Sequence, residues 1–88
     1  MEYTISQINK MVLVLGYSGV TKLINEWVVG TNAERDREIM RYRLLDGLSI
    51  RCITDRYAEA HPDTYVSEDT VKRAIKERVP QIFAHFPG

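Results

Sequence analysis

Two serines, Ser49 and Ser67, each open an apolar-periodic run, and Pro62 stands between them. No other feature narrows the fold of this chain as much. Each hydroxyl is suited to accept a bond from a free backbone N–H in the first turn of a helix. Gly47, after an apolar run, suits the left-handed conformation that ends the helix before it. From Ile50, the apolar residues Ile53 and Tyr57 follow at spacings of three and four and define one buried face. The stretch Ala60-His61-Pro62-Asp63-Thr64-Tyr65 breaks this helix, because Pro62 biases His61 away from helical angles and Asp63 and Thr64 suit a turn. Beyond Ser67, Val71 and Ile75 point inward, with Ala74 allowing close approach. Glu68 and Asp69 lie at the positive end of the helix dipole. Lys72, Arg73 and Lys76 take the remaining surface, with 72 above 76. Residues 44–78 therefore predict two short helices joined by a turn, the second carrying its bases outward.

The rest of the chain also reads as helix. Ile5, Ile8, Met11, Val12 and Leu15 recur at helical spacing, and so do Val20, Leu23, Ile24, Trp27 and Val28. Gly16-Tyr17-Ser18-Gly19 between them predicts a turn with Ser18 as a cap, so residues 4–29 form a helical hairpin. The β-branched run Val12–Val14 has no alternating partner with which to pair as a strand. Thr31 and Glu34 have the spacing of a capping box and open a third helix over about residues 32–46. Ile39, Met40, Tyr42, Leu44 and Leu45 supply its inner face, and Arg35, Asp36, Arg37, Glu38, Arg41 and Arg43 mostly its outer one. Mixed charges at such spacings are usually a solvated surface, although Arg41 and Arg43 also suit a position near a nucleic-acid backbone. Val79-Pro80 predicts a helix end, followed by a short terminal segment over 80–88 that packs Ile82 and Phe86. The fold class expected is all-α: a compact bundle of about five helices in a single domain over residues 1–88, with a helix-turn-helix core at 32–79.

Composition excludes several functions. The chain has 88 residues, 44% of them hydrophobic and 27% charged, which supports one small core. Twelve bases balance twelve acids, so any affinity for nucleic acid has to come from a local patch. Cys52 is the one cysteine, which rules out an internal disulfide and a cysteine zinc site; a free cysteine here reads as a small core or boundary residue. His61 and His85 share no metal-ligand spacing. Ser18 between glycines lacks the pattern of a nucleophile elbow, and no phosphate-binding glycine loop occurs. The reading is therefore a non-enzyme without metal or cofactor. The apolar run Met11–Leu15 is too short for a leader or a membrane span, and a cytoplasmic location is expected.

The run Glu34-Arg35-Asp36-Arg37-Glu38-Ile39-Met40-Arg41-Tyr42-Arg43, followed by Leu45-Asp46-Gly47-Leu48-Ser49, resembles the start of bacterial sigma-factor region four. Ile53 and Val66-Ser67-Glu68-Asp69-Thr70-Val71-Lys72-Arg73 continue the likeness through the second helix. The segment from Thr70 to Ile82 is also similar to the stage III sporulation regulator D family. Together these cover roughly residues 34 to 82. The crossing between the two helices, Ala58–Tyr65, is longer than those families use. The resemblance implies a bacterial or phage DNA-binding transcriptional regulator. Its partners would be double-stranded DNA and, with it, a second copy of the chain or RNA polymerase; no membrane and no small-molecule substrate is expected.

A helix-turn-helix of this kind would lay the helix starting at Ser67 in the major groove, with its first residues nearest the base edges. Lys72, Arg73 and Lys76 would meet phosphate or guanine, Arg73 being best suited to paired bonds. Ser67 and Thr70 are candidates for phosphate or base contact. Glu68 and Asp69 either accept from a cytosine amino group or only support the helix dipole. Ser49 and Arg51 either touch the backbone and set register or serve as cap and surface charge. The second reading, from a different class, is a helical protein–protein interaction module without DNA affinity, consistent with the zero net charge and the lengthened turn.

Overall fold

The computed structural model describes residues 3–86, all of whose regular structure is helical. Helix α1 spans Ile5–Trp27, α2 spans Ala33–Met40 and continues directly into a π turn at Arg41–Leu45, α3 spans Ile50–Ala60 and α4 spans Glu68–Phe83. The all-α expectation holds, with four helices instead of about five. Residues 87–88 of the expected terminal segment, and residues 1–2 of the expected domain, lie outside the described residues.

Helix α1 opens with a capping box: the Thr4 hydroxyl accepts from the Gln7 N–H at 3.2 Å, and the Gln7 side chain accepts from the Thr4 N–H at 2.8 Å. It is bent at Gly16, whose φ of 71° and ψ of 172° belong to a region that only glycine occupies at low cost. The bend is sharp. The Tyr3 ring stacks on Phe83 (4.0 Å) and the Trp27 ring on His85 (3.5 Å), so both ends of α1 reach the same end of α4. A straight helix of 23 residues would hold its ends about 34 Å apart. In place of the two separate helices expected over 4–29 there is one bent helix, and its bend is the single residue Gly16. Tyr17 and Ser18 are already helical, and Ser18 caps nothing. Ile8, Met11, Val20, Ile24 and Val28 are buried, whereas Ile5 and Trp27, expected on the inner face, are exposed.

The capping box expected at Thr31 and Glu34 does not form. Asn32 stands at the N-cap in the left-handed conformation (φ 62°), and its side chain makes no capping bond. Thr31 is displaced because its carbonyl is turned to Arg78, which donates to it at 3.1 Å. After Met40 the ladder changes register, so that the Asp46 N–H bonds the Arg41 carbonyl at 3.3 Å. This π turn ends at Gly47 in the left-handed conformation (φ 66°), as expected. Ile39, Met40 and Leu44 are buried.

Ser49 caps α3 by accepting from the Cys52 N–H at 3.3 Å, and Ser67 caps α4 by accepting from the Thr70 N–H at 3.1 Å. Ile53 and Tyr57 of α3 face the core, joined by Val66 of the connection and by Val71, Ala74, Val79 and Ile82 of α4. Cys52 corrects its expectation: it is exposed, because α3 buries the face of Ile53 and Tyr57 and position 52 turns outward. Pro80 also departs from expectation, since α4 runs through it to Phe83. Proline leaves the Lys76 carbonyl without its usual donor, but Val79 and Ile82 lie in the core on either side of it and hold the helix.

One buried ion pair ties these parts together. Asp36, expected on the outer face, is 3% exposed and receives a 2.8 Å bond from Nε of Arg78. The same guanidinium donates to the carbonyls of Val29 and Thr31 and to the Gln81 side chain. Arg37 likewise donates to the Val28 carbonyl at 2.8 Å. Arg37 thus meets the C-cap of α1, where the helix dipole favours positive charge, and Arg78 binds the connection that follows it.

Candidate nucleic-acid interface

The outer surface of α4 follows from what its inner surface buries. Val71, Ala74, Arg78, Val79 and Ile82 face inward, which leaves Asp69, Lys72, Arg73 and Lys76 on the opposite side, all exposed. None of these three bases takes part in an ion pair among the described residues. They diverge across the helix: Lys72 and Lys76 border a cleft on one flank, and Arg73 borders the other flank with Arg35, Thr70 and Glu77. The exposed residues of these turns, Glu68, Asp69, Lys72, Arg73, Lys76 and Glu77, are three acids and three bases, with two of the acids in the first turn at the positive end of the dipole.

The remaining expected site residues divide into engaged and free. The Ser67 hydroxyl is engaged twice, with the Thr70 N–H and with the Thr70 hydroxyl at 3.0 Å. Both side chains therefore already serve the cap, and Thr70 is half-buried. Ser49 is engaged as the cap of α3, while Arg51 is exposed. Ile50, between them, lines the same cleft as Lys72 and Lys76, so the opening of α3 lies beside the outer flank of α4.

The connection between α3 and α4 is longer than a tight turn and is pinned at both ends. His61 bonds Glu38 at 2.9 Å and stacks on Tyr57 with ring centroids 4.3 Å apart. Val66 is buried, and between them Tyr65 projects, 89% exposed. Glu38 also accepts from the Tyr42 hydroxyl at 2.9 Å. The Tyr42 hydroxyl is held above its ordinary titration range by burial first, then by this bond and the Glu38 charge. Burial and the same charge raise Tyr57. These groups form a polar clasp that fixes the connection against α2.

Arg43 was readable as a candidate backbone contact, but its setting was not. Its Nη1 donates to the Leu48 carbonyl at 3.0 Å, and its Nε is buried without a hydrogen-bond partner. It lines the cleft together with Lys72, Lys76 and two residues from the start of the chain, Tyr3 and Ile8. No periodicity in the sequence links these segments; only the folding back of α1 does. No group of three or more histidine, cysteine or acidic side chains is placed to hold a metal ion among the described residues, and no helix among them is long and apolar enough to cross a membrane. No protein-family model, no curated protein and no solved structure matches this chain.

Proposed function

We propose that the chain is a DNA-binding transcriptional regulator that lays the outer face of α4 in the major groove. The observation that carries the reading is the exposed set Lys72, Arg73 and Lys76, without an ion pair among the described residues, on a helix whose N-terminus is capped by Ser67 and flanked by the opening of α3. Phosphate contacts from Lys72 and Lys76 would supply affinity and Arg73 would read guanine. Ser67 and Thr70 are engaged in the cap, so their part is to hold the helix start. Glu68 and Asp69 support the dipole, and Arg51 is left to the DNA backbone. The test is selection from random duplexes at low salt, wild type beside a Lys72→Ala/Arg73→Ala variant. These side chains are exposed, so the variant keeps its fold. An enriched sequence that the variant fails to retain supports the reading; equal retention by both, or none by either, overturns it.

A second reading, a helical protein-interaction module, is favoured by one observation. Leu13, Val14 and Tyr17 next to the bend of α1 are 86%, 60% and 64% exposed, a concentration of apolar surface of the kind that marks contact sites. A chain of this kind would bind protein through α1 and retain no duplex at any salt concentration. Dimerisation alone does not separate the two readings, because helix-turn-helix proteins commonly pair on two half-sites.

A further inference from the structure

We infer that the cleft between the start of α1, the π turn and the flank of α4 binds a small apolar acid, an aromatic or short-chain alkyl carboxylate. Its lining combines an apolar part, Ile8, Ile50, Ile75 and Val79, taken as the floor, with a cationic part, Arg43, Lys72 and Lys76, taken as the rim, and includes no acidic side chain. Its volume is about 200 Å³. Apolar protein cavities of about 150 Å³ take up benzene, so one ring or a short alkyl chain fills this space and a long acyl chain exceeds it.

The rim selects charge. Three cations border the cleft with no counter-ion among the lining residues. The Arg43 guanidinium is oriented by its bond to the Leu48 carbonyl, while its Nε is buried without a partner. A carboxylate is the planar acceptor that suits a guanidinium. π turns recur at binding sites, and this one is what brings Arg43 to the rim. A DNA phosphate would satisfy the charges but bring nothing apolar to the floor, so the pairing of floor and rim points to an amphipathic anion.

Lys72 and Lys76 are shared between this cleft and the DNA face. An acid bound here withdraws two positive charges from the groove and antagonises DNA binding, a consequence that rests on the proposed function, whereas the site itself does not.

The test begins without DNA. Amide shifts of the whole chain are followed by NMR during titration with benzoate, benzyl alcohol and acetate. Benzoate is expected to give saturable shifts at Ile8, Ile50, Ile75 and Val79 and to bind about tenfold more tightly than either of the others. Lys72→Ala/Lys76→Ala should lower the preference for benzoate over the alcohol without abolishing it, because Arg43 remains. Ile75→Trp, or Ile50→Phe should the first variant misfold, should abolish binding by filling the floor. No saturable shift, or equal affinity for benzoate and benzyl alcohol, overturns the site. Benzoate that binds the cleft and leaves DNA affinity unchanged overturns only the antagonism. If the protein retains no DNA at all, the proposed function falls, and the titration still decides the site.

Discussion

Nε of Arg78 reaches Oδ2 of Asp36 at 2.8 Å across 42 residues of sequence. Asp36 also accepts from Arg35, at 3.2 Å, and Arg78 holds the connection between α1 and α2 through the Val29 and Thr31 carbonyls. The proposed DNA-facing helix is thereby oriented from its inner side by an ion pair anchored in α2.

Removing one partner of a buried pair costs about 3–5 kcal/mol, because the other charge is left stranded. Asp36 keeps the Arg35 guanidinium at 3.1 Å, so Arg78→Met is expected to lower the unfolding free energy by about 3 kcal/mol, the low end of that range, in urea titration. Adding Asp36→Leu should recover part of the loss, but not all, since the Val29 and Thr31 carbonyls stay unpaired. Additive losses from the two substitutions would mean that the pair does not couple.

Gly16 is a conformational requirement and not a packing one: a Cβ there meets nothing within 4 Å, but φ is +71°. Gly16→Ala is expected to cost about 1–3 kcal/mol in unfolding free energy. Gly19 is required for the opposite reason, since a Cβ there would lie 2.9 Å from Cβ of Leu15. A neutral Gly16→Ala would show that the bend is not fixed at this residue.

Salt dependence separates the roles proposed for the bases. Each phosphate that the protein ceases to neutralise reduces the slope of log affinity against log salt by about 0.9. Lys72→Ala/Lys76→Ala should then flatten it by about 2 on every duplex. Arg73→Ala should instead cost about 1–3 kcal/mol on the selected sequence alone. An Arg73→Ala penalty equal on all duplexes would assign Arg73 to phosphate.

The tyrosines of the clasp predict an alkaline limit. Tyr42 and Tyr57 are both raised above their ordinary value of 10.0 in the folded chain. The unfolded chain therefore gives up these protons first, and folding is favoured fully below pH 10 and progressively less as pH rises toward the folded values. Tyr42→Phe should reduce that alkaline decline while costing about 0.5–1.5 kcal/mol at neutral pH, because the bond to Glu38 is gone. An unchanged alkaline slope in pH-dependent denaturation would remove Tyr42 from this role.

What could be read from the sequence was local in cause. Ser49 and Ser67 cap because a hydroxyl one residue before a helix acts on the next turn, and Gly47 ends a helix through its own φ. The apolar face of α3 and, as far as Ala74, that of α4 followed from spacing alone. The misses were set by residues far apart in the chain. Asp36 and Arg78 look like ordinary surface charges until α1 and α4 meet. Thr31 loses its capping role because its carbonyl is taken by Arg78. Pro80 fails to stop α4 because Ile82 beyond it is fully buried. The cleft was hidden for the same reason, since Tyr3 and Ile8 join Lys72 and Lys76 only through the bend at Gly16.

The stack of Trp27 on His85 has a practical meaning. The sequence holds one tryptophan, and its indole lies 3.5 Å from the imidazole, nearly parallel at 7°. Its emission therefore comes from a single place, the seam between the end of α1 and the end of α4. Undocking of that seam changes the ring's surroundings. The molecule thus carries an intrinsic optical gauge of whether these two helix ends are latched.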